Sequence, residues 1–125
     1  MVILENVKTP SHQSKQQKYQ LLLKKVRDIV SQEDDLTANL GNVAAVVHHT
    51  LGFDWTGFYL VQNDELVLGP CQGPPAVSRI AMGQGVCGTA LAREYTVKVD
   101  DVEQFSGYVP CCEMDKSEIS LPAFH

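Results

Sequence analysis

The chain predicts an α+β fold, and three features of the sequence carry that expectation. Two segments with apolar residues at helical spacing come first, between residues 14 and 52. The period then changes to two at Trp55, and Asn63-Asp64 turns the pattern back on itself as a hairpin. With 125 residues, 44% hydrophobic and 20% charged, the chain is long enough for one core and one domain. A net charge of -5 offers no field for nucleic acid. No apolar run approaches the roughly 18 residues of a membrane span, and Glu5 and Lys8 interrupt the opening Met-Val-Ile-Leu before a signal-peptide core develops. The chain is therefore expected in the cytoplasm, with no membrane or nucleic-acid partner and with its four cysteines reduced.

Residues 1–13 are polar and aperiodic and read as a flexible tail, which leaves 14–125 as the domain. Ser14 and Gln17 match a capping box, and Tyr19, Leu22, Leu23, Val26, Ile29 and Val30 follow at helical spacing as a core or subunit-interface stripe. Asp35 caps a second helix, whose apolar face is Leu36, Leu40, Val43, Val47 and Leu51 and whose end is Gly52. His48 and His49 fall in its last turn, where adjacent positions diverge by about 100° and serve a metal poorly. On the following strand Trp55, Gly57 and Tyr59 share a face, and a glycine between two aromatics predicts a recess suited to a small apolar group. Glu65 to Leu68 reads as the returning strand, Gly69-Pro70 and Gly73-Pro74-Pro75 as a structured loop, and Tyr95 to Val99 as a further strand.

Gly83-Gln-Gly-Val-Cys-Gly88 has the glycine spacing of a dinucleotide fingerprint, but it follows two helices and a hairpin where the fingerprint needs the first strand of a βαβ unit. Its glycines instead allow a tight turn into a short helix, with Cys87 at the N-terminal end, where a thiolate is favoured. The densest chemistry lies in Tyr108-Val-Pro-Cys-Cys-Glu-Met-Asp-Lys-Ser-Glu-Ile119: Cys111 and Cys112 sit on a loop, and Glu118 stands at the end of an apolar strand. Zinc is not expected, because Cys71, Cys87, Cys111 and Cys112 show no C-x2-C spacing and have no histidine near them in sequence. Thiol redox chemistry and plain ligand binding remain.

Several of these pieces together resemble the free methionine (R)-sulfoxide reductases, single GAF domains. The pieces are Trp55-x-Gly-Phe-Tyr59, Leu66-Val-Leu-Gly-Pro70, Gln72-Gly73, Gly83-x-Gly-Val-Cys-Gly-Thr-Ala90, Asp101-Val102 and Ser117-Glu-Ile119, spread from about Leu21 to Pro122. The resemblance implies a GAF-like antiparallel sheet with the N-terminal helices packed on it. It implies Cys111 as the catalytic thiol, Cys87 as its resolving partner, and Trp55, Tyr59, Asp101 and Glu118 as substrate-binding residues. It also implies reduction by thioredoxin, itself supplied by NADPH and thioredoxin reductase, with no bound cofactor. Where the family usually has a further cysteine this chain has Val77, which makes Cys112 and Cys71 alternative resolving thiols. The family pattern also continues beyond His125 through a hairpin, further aspartates and a closing helix. The sheet is accordingly expected to lack its last strands and to expose an edge that a second copy covers, giving a homodimer.

The chemistry asked of these residues is coherent. A thiolate attacks a sulfoxide sulfur only while the oxygen is protonated or hydrogen-bonded, and Cys111 and Glu118 supply the two groups. Glu118 either donates toward that oxygen or stays ionised and holds the substrate's ammonium. Release of methionine leaves a sulfenic acid, which a second thiol converts to a disulfide. The competing expectation is a GAF-type small-ligand binding module, or an inactive truncated form, whose cysteines do not turn over.

Overall fold

The structure, a computed structural model, describes residues 2–5 as backbone, and 14–107 and 116–123. Helix α1 (Lys15–Val30) starts at the capping box expected for it: the Ser14 hydroxyl accepts from the Gln17 amide, and the Gln17 side chain reaches back to Ser14. Helix α2 (Leu36–Leu51) is capped by the Asp35 carboxylate on the Ala38 amide and ends at Gly52, whose φ of 69° is left-handed. The two helices pack through Leu22 and Leu51 with Phe53, flanked by Val26, Val46 and Val47. The inner stripe of α1 is therefore core, while Tyr19, Leu23 and Val30 stand exposed.

Strands β2 (Trp55–Gln62) and β3 (Glu65–Gln72) form the hairpin, and Asn63 and Asp64 both take positive φ, as its tight turn requires. The returning strand does not stop at Leu68. It runs on through Gly69 and Pro70, because the register slips between Gly57 and Tyr59 and leaves room in β3 for an extra residue. A bulge of this kind is where a central strand accepts proline. Then come β4 (Arg79–Ala81), α3 (Gly85–Arg93), β5 (Val97–Val99), a 3-10 turn (Val102–Gln104) and β6 (Glu118–Leu121). The glycines of 83–88 thus open a helix between antiparallel strands, and Gly88 lets that helix come close to β4: a Cβ there would lie 2.5 Å from the Ala81 carbonyl oxygen.

Two expectations are corrected by β1 (Val2–Glu5). The composition of the first thirteen residues predicts a tail, yet Val2–Glu5 lie inside the sheet, antiparallel to β2 on one side and to β6 on the other. Valine, isoleucine and leucine in sequence have strand propensity, but four residues are too few to show a period. The sheet order is β4-β3-β2-β1-β6-β5. The open edge expected beside the strand at 118–121 is therefore filled, since β6 is paired to β1 and to β5. Helix α2 covers β2 and β3, while α3 lies against β4, β5 and β6. Among the described residues no helix is long and apolar enough to cross a membrane.

Candidate active site

The site begins with the first turn of α3. Gly85 and Gly88 let this turn lie against the sheet with Val86 and Cys87 almost wholly buried. Cys87 faces β6, where period-two alternation puts Glu118 and Ser120 on one side of the strand. The Cys87 thiol donates to Glu118 Oε1 at 3.0 Å, the Ser120 hydroxyl donates to the same oxygen at 2.9 Å, and the Cys87 sulfur and Ser120 oxygen are 3.4 Å apart. Glu118 is 2% exposed and Ser120 fully buried. A carboxyl taken so far from water is tolerable only when donors converge on it, and here two meet on one oxygen.

The same core cluster joins Cys87 and Ala90 to Trp55, Tyr59, Leu66 and Ile80. Trp55 and Tyr59 are fully buried, their rings tilted at 32° with centroids 6.2 Å apart, and the Tyr59 hydroxyl donates to the Val77 carbonyl. The recess expected at Gly57 is closed. The position a Cβ would take there lies 2.5 Å from the Trp55 ring and 2.5 Å from the Cβ of Cys71, which sits opposite Gly57 on β3. The missing side chain accommodates the protein's own indole. Trp55 Nε1 is nevertheless a buried donor without a hydrogen-bond partner among the described residues.

The structure thus brings Cys87, Glu118, Trp55 and Tyr59 into or against one cluster. Cys71 packs at its margin, where burial pushes the thiol's pKa up and keeps it protonated. Asp101 stands apart in its bonding: it is exposed, and its carboxylate accepts from the Glu103 amide as the cap of the 3-10 turn. Cys111 and Cys112 lie outside the described residues. Ser120 was missed in the sequence, though its position two beyond Glu118 on a strand was the available signal. Among the described residues no three His, Cys, Asp or Glu side chains are grouped to hold a metal ion. A separate open groove runs between α1 and α2, lined by Lys18, Lys25, Ile29, Val46 and His49 among others, and takes no residue from the thiol cluster.

A six-stranded antiparallel sheet with helices on it and a buried thiol–carboxyl pair under the α3 turn define a GAF domain. The chain is 46% identical over 112 residues to GAF domain-containing protein A of Dictyostelium discoideum, matching 89% of this chain and 71% of that one. It is 32% identical to the free methionine-R-sulfoxide reductase of Saccharomyces cerevisiae, across 94% of this chain and 70% of the relative. The solved free methionine-R-sulfoxide reductase of Neisseria meningitidis, in complex with its substrate, superposes with a TM-score of 0.88 at 40% identity, over 98% of this chain and 74% of that one. No protein-family model matches the chain. By these likenesses the chain belongs to the free methionine-R-sulfoxide reductase family.

Proposed function

We propose that this chain reduces free methionine (R)-sulfoxide to methionine through its own cysteines. The observation that supports this most directly is the buried contact of Cys87 with Glu118, built into the same core as Trp55 and Tyr59. In this reading Cys111 attacks the sulfoxide sulfur while Glu118 donates toward the oxygen, methionine leaves, and Cys111 is left as a sulfenic acid. Cys87 then condenses with it to a disulfide, which thioredoxin reduces. Of the alternative resolving thiols, Cys71 is the weaker nucleophile because its burial favours the protonated form. A vicinal bridge from Cys112 would be strained. Trp55, Tyr59 and Asp101 complete the substrate set. The proposed compartment is the cytoplasm, and the proposed assembly is a homodimer through the outer face of α1, where Tyr19, Leu23 and Val30 are exposed; a monomer by light scattering would remove the dimer.

The test is NADPH oxidation in the presence of thioredoxin and thioredoxin reductase, with the two diastereomers of free methionine sulfoxide supplied separately. Consumption on the R form alone is expected. No consumption on either form, with ligand-induced thermal stabilisation intact, would leave a binding module instead. Without the reducing system, Cys111→Ser should release no methionine, and Cys87→Ser should release about one per chain and then stall. Equal loss in both variants at that first turnover would overturn the assignment of roles.

A further inference from the structure

Ser120 occupies an interior position of β6, paired with Ile3 on one side and Val97 on the other, and it is fully buried. Such a position ordinarily favours a branched apolar side chain. Its hydroxyl closes a triangle with Cys87 and Glu118: one carboxyl oxygen accepts from both neighbours, and the two donors lie 3.4 Å from each other. Were the thiol proton to leave for solvent, a thiolate and a carboxylate would face one another at 3.0 Å in an interior where like charges are not tolerated. The ionisation that leaves the net charge of the group unchanged is transfer of the proton from Cys87 Sγ to Glu118 Oε1. A protonated Oε1 no longer needs the serine as donor, and the hydroxyl is free to rotate toward sulfur.

We infer that Ser120 is a positioning residue for Cys87, its hydroxyl turning from the Glu118 carboxylate to the thiolate as the proton crosses, and that it thereby sets how readily this cysteine becomes a nucleophile. The inference rests on the reading of Cys87 as the resolving thiol. In that step the Cys87 thiolate attacks the sulfenic sulfur of Cys111; the S–S bond forms and the S–O bond breaks. The departing hydroxide takes the proton from Glu118 and leaves as water. Cys87 is oxidised, the sulfenic sulfur is reduced, and the carboxylate regains the Ser120 hydroxyl as its donor, while Cys87, now in the disulfide, has no proton to give.

Ser120→Thr and Ser120→Val provide the test, because the two side chains share a shape that suits a strand and differ by the hydroxyl. In a chain carrying Cys71→Ala, Cys111→Ala and Cys112→Ala, the ultraviolet absorbance of the thiolate reports Cys87 alone. The threonine variant should titrate with the parent, and the valine variant about one pH unit higher, a roughly tenfold loss of thiolate on the scale of one hydrogen bond to a charged group. In the chain with all four cysteines, valine should slow disulfide formation roughly tenfold more than it slows the preceding release of methionine. Coincident titrations of the two variants would overturn the inference. If the valine variant does not melt cooperatively, Ser120→Ala against Ser120→Thr makes the same comparison. Separated titrations with no methionine released from either sulfoxide would sink the functional reading while leaving the role of Ser120 standing.

Discussion

At Gly57 the structure has no room for a side chain, since a Cβ would stand 2.5 Å from both the Trp55 ring and the Cys71 Cβ, and neither the indole nor a strand-bound Cβ can move away cheaply. Gly57→Ala should therefore destabilise the fold by about 1–3 kcal/mol, the usual cost of overpacking, seen as a lower denaturation midpoint with an unchanged slope. Trp55 is the other half of that contact. As the largest fully buried side chain, it should cost about 3–5 kcal/mol when replaced by alanine. Any loss of substrate binding in Trp55→Ala has to be measured where the variant is still folded. Gly57→Ala separates the two effects, because it disturbs the same contact while leaving the indole in place. A Trp55→Ala protein as stable as the parent would show that the indole is not core.

The helices illustrate how far local signals reach. Ser14 with Gln17, Asp35 and Gly52 mark their ends in the sequence because a cap is decided within four residues. The glycine turn before α3 and the Asn63-Asp64 hairpin were readable for the same reason. What could not be read depends on neighbours distant in sequence. A three-residue strand such as β4 exists because β3 offers it an edge, and the continuation of β3 through Pro70 rests on a bulge against β2. The closing of the recess beside Gly57 depends on Cys71 across the ladder, and the interest of Ser120 appears only when α3 brings Cys87 to it. The last turn of α2 carries its own consequence. Burial, and then the neighbouring His49, lower the pKa of His48 below its ordinary 6.5, with Asp54 opposing in part. Because the fold prefers the neutral ring, this contribution is fully present above pH 6.5 and is lost as the pH falls from there through the lowered folded value. Thermal melts should thus weaken on acidification across that window. His48→Gln should flatten the dependence, and an unchanged slope in that variant would assign the loss to other groups.

For the molecule as a whole, β1 is the strand through which the sheet is continuous. On one side of it lies the β2–β3–β4 unit, on the other β6 and β5, and Ile3 pairs with Gly57 and with Ser120. Ile3→Pro removes a main-chain donor from a strand paired on both edges and should cost about 3 kcal/mol or more. Hydrogen exchange should then show the amides of 118–121 losing protection before those of 55–62; equal loss throughout would mean that α3, not β1, holds the two parts together. Residue pairs such as Val2 with Leu121 join positions separated by nearly the whole sequence. The entropy of closing so long a loop has to be met before β1 and β6 gain anything from meeting. The hairpin of β2 and β3, together with the paired helices α1 and α2, can assemble from contacts close in sequence, and so should form early. Cys87, on the helix α3 that packs against β6, comes under lasting protection only with the final ladder, so during synthesis it stays open to oxidants until β6 has left the ribosome.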